Sequence, residues 1–155
     1  MGSGPMSGQS LFQEDTMQLN NFGSILTFAE DLEAKDEAFY TSAVNNVECA
    51  AYKTVFEQIA ADCKKNQKTV QRVRRENVTE MILEGISDFS SEAYDYEHGA
   101  PDDMKGADCL ETAKKLEQRA QQYYLDAAEK IKALSEVSRA LKMLAKKRKK
   151  HLEAL

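Results

Sequence analysis

Residues 19–47 read LNNFGSILTFAEDLEAKDEAFYTSAVNNV, and they decide the fold. Their apolar residues recur at the spacing of one face of a helix, and acidic residues interrupt this apolar seam. Glu33, Asp36 and Tyr40 occupy seam positions where core residues belong. Burying an ionised carboxylate is costly unless it is paired, hydrogen-bonded or bound to a metal. The sequence therefore predicts that the rest of the chain supplies a partner for Glu33.

The composition favours one all-α domain. The chain has 155 residues, which suffice for a core, and it contains only 7 Gly and 2 Pro, both prolines lying outside the periodic segments. A net charge of -5 and the absence of Trp count against a dedicated nucleic-acid binder, so we expect no nucleic-acid partner. There is no apolar run long enough to cross a bilayer, so we expect no membrane span.

The cysteine pattern bears on the compartment. Cys49, Cys63 and Cys109 form no Cys-x-x-Cys pair, and any disulfide scheme leaves at least one of them unpaired. Together with the lack of a signal-peptide pattern, this favours a reducing compartment, and we expect an intracellular, cytoplasmic protein. The opening MGSGPMSG resembles an expression tag, so residues 1–18 are predicted to be a tag or an irregular tail.

Hydrophobic periodicity predicts a domain over residues 19–155 with four helices, at about 19–45, 47–85, 107–131 and 135–153. Residues 86–106 lose this periodicity and collect Ser, Gly, Pro and Asp, which is typical of a connector. The connector is longer than an antiparallel helix pair needs and suits a path back along a bundle. The prediction is a four-helix bundle of two helix hairpins joined by a long crossover.

The two halves of the chain carry one repeated pattern. FAEDLEAKDEAFY, which contains Glu33 and Tyr40, aligns with AKKLEQRAQQYY, which contains Glu117 and Tyr124, at a constant offset. Each half has an acid embedded in an apolar seam and a tyrosine seven residues later. This pattern indicates an internal repeat.

The second and fourth helices extend the repeat. After a one-residue adjustment, Cys63 falls opposite Arg148 and Asn66 falls opposite His151. Counted along their helices, these residues lie at similar distances from the turns of the two hairpins. The rise per residue of a helix therefore puts them at the same depth in the bundle. The predicted buried polar layer consists of Glu33, Asp36, Cys63, Asn66, Glu117, Arg148 and His151, with Tyr40 and Tyr124 a turn or two away.

In these residues the sequence resembles the ferritin-like superfamily, especially rubrerythrin-type domains. In that family each half supplies a Glu from one helix and a Glu-x-x-His from the next around a di-iron centre. The resemblance covers most of the chain, from about residue 19 to residue 151, and implies two up-down helix pairs joined by a long crossover. By family analogy it also implies a homodimer.

The family's ligand pattern carries over in part. Glu33 and Glu117 match the ligands from the single-Glu helices, and His151 matches one motif histidine. The two Glu-x-x-His positions read CKKN at 63–66 and RKKH at 148–151, so three of the six expected ligands are present. The resemblance therefore implies a degraded di-iron site.

The first interpretation of this site is a binding or structural role without turnover. A fixed guanidinium at Arg148 would pair with Glu33 or Glu117 in place of a metal. On this interpretation the bundle is not an enzyme and holds no cofactor.

Two alternatives stay open. Glu33, Asp36, Glu117 and His151 offer oxygen and imidazole donors suited to a single Fe, Mn or Zn ion, and a site with Fe or Mn would make the chain an oxidoreductase acting on peroxide or dioxygen. The basic run KKRKKH at 146–151 would instead suit a helical adaptor that binds a partner through its C-terminus.

Overall fold

The computed structural model describes residues 17–77 and 85–155. The α-helices of these segments are α1 Phe22–Ala43, α2 Lys53–Glu76, α3 Gly106–Lys130 and α4 Ser135–Ala154. α1 packs chiefly against α2, and α3 packs chiefly against α4. This arrangement confirms the predicted all-α bundle of helix hairpins. No helix in the described segments has both the length and the apolar character needed to cross a bilayer.

The first hairpin begins at a capping box and turns at an asparagine. The Asn21 side chain accepts a hydrogen bond from the Ser24 backbone N–H at 2.7 Å, and the Ser24 hydroxyl accepts one from the Asn21 N–H at 3.2 Å. After α1, the Asn46 side-chain amide donates to the carbonyls of Pro101 and Met104 at 2.9 and 2.7 Å. The turn of the first hairpin is thereby fixed against the crossover.

The second helix is shorter than the predicted span of 47–85. Val47–Tyr52 form a 3₁₀ helix, and α2 begins only at Lys53. α2 ends at Glu76, and Asn77 leaves the helical conformation. The backbone N–H and the side-chain amide of Asn77 both donate to the Val73 carbonyl, at 3.1 and 2.9 Å. The remaining predicted helical stretch, residues 78–84, lies outside the described residues, and residue 85 is not helical.

The crossover contains two short 3₁₀ helices, Ser91–Tyr94 and Pro101–Asp103. It lies against the segment that precedes α1, since the Leu19 N–H donates to the Phe89 carbonyl at 2.9 Å. Residues 1–16 of the predicted tail lie outside the described residues. The last tail residue, Gln18, forms an antiparallel bridge with Ser90.

The arrangement of the cysteines bears on the predicted compartment. Cys49 of the first 3₁₀ helix and Cys109 of α3 form a disulfide across 60 positions of sequence, and Cys63 is a buried free thiol. The pairing does not fit the reducing compartment that the cysteine pattern favours, because disulfides persist in oxidising surroundings. The spacing did not reveal it because folding, and not sequence proximity, brings the two residues together. The compartment itself stays a prediction.

Beside the disulfide, the chain passes so close to α3 that only glycine fits. A Cβ built on Gly106 would clash with the Glu48 backbone carbonyl oxygen. We expect Gly106→Ala to lower the free energy of unfolding by about 1–3 kcal/mol, although Ala is the better helix former. Urea unfolding under non-reducing conditions measures the change.

Gly99→Ala is the matched control, because among the described residues a Cβ on Gly99 would meet only the Met104 side chain, at 4.0 Å. It should stay within about 0.5 kcal/mol of the wild type. Equal stability of the two variants would contradict the predicted clash.

Candidate functional site

A fully buried arginine lies at the centre of the bundle. Nη2 of Arg148, on α4, lies 2.9 Å from a carboxylate oxygen of Glu33 and 2.9 Å from one of Asp36, both on α1. Nη1 lies 2.9 Å from Glu117 on α3. All four side chains are buried, with at most 1% of the residue exposed. One guanidinium therefore connects three helices through three carboxylates.

A second arginine, which the sequence interpretation missed, completes the pairing of Asp36. Nη2 of Arg119, on α3, lies 2.6 and 2.8 Å from the two Asp36 oxygens. The Arg119 side chain is 12% exposed, so the pair is largely shielded from water. Arg119 lies outside the apolar seam of α3 and reaches the layer through the length of its side chain, which seam counting does not reveal.

Two tyrosines connect α1 and α3 in a crosswise manner. The Tyr40 hydroxyl on α1 donates to Glu117 on α3 at 2.6 Å, and the Tyr124 hydroxyl on α3 donates to Glu33 on α1 at 2.5 Å. Burial, with the charges of these glutamates, raises the pKa of both phenols well above the ordinary value. Both tyrosines are therefore neutral donors to the carboxylates.

α2 and α4 supply the remaining partners. The Asn66 amide donates to Glu33 at 3.2 Å, and Nδ1 of His151 lies 3.1 Å from Glu117. Nε2 of His151 lies 2.8 Å from Asp62, which the sequence interpretation also missed because it is partly exposed and off the seam. With an acid at each ring nitrogen, His151 donates to both only when it is protonated.

The surroundings of Glu117 and His151 shift the pKa values of both residues. Burial alone would raise the pKa of Glu117, but Arg148 and His151 outweigh burial and lower it to about 2. Burial likewise acts to lower the pKa of His151, as does the charge of Arg148. The hydrogen bond and charge of Glu117, with the hydrogen bond of Asp62, outweigh them and raise this pKa above the ordinary value. The raised pKa of His151 and the lowered pKa of Glu117 both favour an imidazolium next to a carboxylate.

The free thiol has a different character. Burial raises the pKa of Cys63 far above its ordinary value, with the nearby carboxylates adding to the effect and Arg148 opposing it. Cys63 is thus a neutral core thiol and not a reactive thiolate.

The structure places in the interior every residue that the sequence assigns to the polar layer. These buried residues are Tyr40, Glu33, Asp36, Cys63, Asn66, Glu117, Tyr124, Arg148 and His151. The basic C-terminal run is not uniformly a free surface, because Arg148 and His151 point inward and Lys147 donates to Asn66 at 3.3 Å. A role of Glu33, Asp36, Glu117 or His151 as metal ligands stays a prediction.

Comparison with known proteins identifies the family of the chain. A family profile described as the ferritin-like domain matches residues 23–147. The chain belongs to the ferritin-like domain family. Searches of curated proteins and of solved structures find no significant match to it.

The donor set of this ferritin-like domain does not fit a di-iron centre. Cys63, Asn66 and Arg148 stand at three of the six positions where the resemblance implies ligands. The Arg148 guanidinium lies 2.9 Å from both glutamates that would ligate the metals, and two cations close to the same carboxylates repel each other. Within residues 17–77 and 85–155, no group of three or more His, Cys, Asp or Glu side chains is arranged to hold a metal ion.

The contacts of His151 predict how the stability of this ferritin-like domain depends on pH. Because folding raises the pKa of His151, its contribution is full below its unfolded pKa of about 6.5 and is lost as pH rises through the folded value. We expect the free energy of unfolding of the wild type to fall with rising pH above about pH 6.5. His151→Gln should remove this slope and cost about 1–3 kcal/mol at pH 6.

Urea unfolding between about pH 6 and pH 9 tests this prediction. The chain's second histidine provides the control, because the exposed His98 contacts the Gly99 carbonyl and pairs with no acid of residues 17–77 and 85–155. His98→Gln should keep the wild-type slope. The same slope in His151→Gln as in the wild type would contradict the assigned role.

Proposed function

We propose that this chain is a ferritin-like bundle in which a buried arginine–carboxylate network replaces the di-iron centre. It acts by binding or as a structural unit, and not as an oxidoreductase. The observation that carries the proposal is the position of Arg148, whose guanidinium lies 2.9 Å from each of Glu33, Asp36 and Glu117.

The balance of charge supports the proposal. Three buried carboxylates face two guanidinium groups, those of Arg148 and Arg119, and the imidazolium of His151 is the third positive charge. Its outer nitrogen also meets Asp62 at the partly exposed edge of the layer. A buried ionic group persists when opposite charges and hydrogen bonds surround it. This layer therefore needs no added cation.

The hydrogen bonds around the glutamates support the proposal independently. Glu33 accepts hydrogen bonds from Arg148 Nε at 3.3 Å, from the Tyr124 hydroxyl and from the Asn66 amide. A metal at Glu33 would have to displace at least one of these donors. Glu117 receives an equivalent set consisting of Arg148, Tyr40 and His151. Both carboxylates are already satisfied by the protein itself.

The equivalence of these two sets also supports a duplicated origin. We infer that an ancestral helix hairpin was duplicated, and that its two copies diverged where α2 now carries Cys63 and Asn66. The crosswise contacts from Tyr40 to Glu117 and from Tyr124 to Glu33 fit this origin. Arg148 and His151 are the α4 counterparts of the diverged α2 positions.

Metal content tests the proposal directly. We expect the wild type, purified without chelator and incubated with Fe(II), Mn(II) or Zn(II) before desalting, to hold far less than one ion per chain by elemental analysis. The variant Cys63→Glu/Asn66→His/Arg148→Glu restores the family's donor set and should gain up to about two ions per chain.

A stoichiometric ion in the wild type that is lost in Glu117→Ala would overturn the proposal in favour of the mononuclear oxidoreductase. Circular dichroism of each variant confirms that it is folded. The restored variant shows that the incubation can load a site of this type.

The network also predicts a stability effect. Arg148→Met should lower the free energy of unfolding by about 3–5 kcal/mol, because it leaves three buried carboxylates without their shared cation. Arg148→Lys should recover only part of this loss, since an ammonium cannot reproduce the planar fork of the guanidinium. Chemical denaturation of the purified proteins measures both variants.

Arg72→Met is the control for loss of an arginine, because the Arg72 side chain is 51% exposed and pairs only loosely with Glu76 at 3.9 Å. Its effect should not exceed about 1 kcal/mol. If Arg148→Met were as stable as the wild type, the network would not stabilise the bundle, contrary to the prediction.

A further inference from the structure

A cavity of about 300 Å³ lies between α1, α3 and the crossover. Ala38, Phe39, Pro101 and Leu116 give it apolar walls, and Tyr96 adds an aromatic surface from the crossover. Its volume is at the lower end of the range for small-molecule sites. A ligand here would be small, with an apolar or aromatic body.

Two cations lie on the same cavity. Lys35 and Arg119 both line it. The one acid among its described lining residues, Asp36, already pairs with Arg119 and Arg148. Lys35 is exposed and forms no ion pair with any residue in the described segments. The cavity therefore has an uncompensated positive charge, which favours an anion.

The guanidinium of Arg119 also has an unused donor. Its Nε is buried and has no hydrogen-bond partner among the described residues, whereas its Nη2 is taken by Asp36. Buried N–H groups of folded proteins nearly always have an acceptor, and a carboxylate oxygen is a strong one for a guanidinium. The guanidinium of Arg119 thus has donor capacity beyond its pair with Asp36, which adds to the preference of the cavity for an anion.

A neighbouring cavity shows why the ligand belongs in the larger one. This cavity, of about 170 Å³, shares Lys35, Tyr96 and Arg119 with the first. Its other lining residues include three acids, which would repel an anion: Asp31, Asp95 and Glu97. The larger cavity combines the cations with an apolar wall and lacks these acids.

We propose that the cavity between α1, α3 and the crossover binds a small monocarboxylate with an apolar or aromatic body. The carboxylate is received by Lys35 and Arg119, and the body packs between Phe39 and Leu116. This site depends on the bundle and the crossover and not on the metal content of the polar layer, so it goes beyond the proposed function. A failed metal prediction would leave it intact.

Benzoate is the first probe, titrated into the full-length ¹⁵N-labelled protein and followed by amide chemical shifts. We expect saturable shifts at residues 35–42, 96–101 and 116–119. Benzamide, which has the same ring without the charge, should bind about tenfold more weakly or not at all. Inorganic phosphate should also bind more weakly than benzoate, because it has no apolar group to pack against the walls of the cavity.

Three exposed positions allow tests that leave the buried network intact. Ala38→Trp should abolish benzoate binding by filling the cavity, whereas Ala34→Trp, on the same helix but outside both cavities, should bind as the wild type does. Lys35→Met should weaken binding by about threefold to tenfold. Circular dichroism and urea unfolding confirm that each variant is folded.

Equal affinities for benzoate and benzamide would overturn the proposal, since the cations would then have no part in recognition. Unchanged benzoate binding in Ala38→Trp would overturn it by placing the site elsewhere. Phosphate binding as tight as benzoate binding would show a general anion surface in place of the proposed site.

Discussion

Arg148 is a guanidinium inside a four-helix bundle, and such a charge can be buried only if charged and polar partners surround it. The structure meets this requirement with Glu33, Asp36 and Glu117 at 2.9 Å. These partners come from α1 and α3. Both helices must therefore have a defined axial position and rotation relative to α4, because the ion pairs form only at short distances. A slip of one helical turn in any of them would leave a charge unpaired.

The polar layer also divides the hydrophobic core. One apolar cluster contains Phe22, Tyr123 and Leu141, and the other contains Phe39, Phe56 and Cys109. Apolar contacts between helices tolerate small displacements, whereas charged hydrogen bonds require defined distances and angles. The two clusters therefore supply most of the burial energy, and the layer between them specifies the register. In this ferritin-like domain, three of the six donor positions that the resemblance implies carry other residues, and the buried side chains themselves take this ordering role.

The fold and the inner part of the site could be predicted from the sequence because both depend on seam positions. Glu33 and Arg148 occupy the apolar faces of their helices, and periodicity alone puts them in the interior. Arg119 and Asp62 could not be found in this way, because each reaches the layer from outside a seam. The end of α2 at Glu76 was also missed, since it depends on the local conformation and the side-chain bond of Asn77. These misses share a cause: each depends on a single side chain that seam counting does not resolve.

The disulfide between Cys49 and Cys109 closes a covalent ring around residues 49–109, which includes α2 and the whole crossover. A single break of the backbone within the crossover would therefore not separate the chain into two molecules. The hairpins would stay joined by the sulfur atoms near the turn of the first hairpin and the start of α3. As long as the disulfide is intact, the two halves of the bundle do not depend on an unbroken backbone in the crossover, which is the longest connection between the helices.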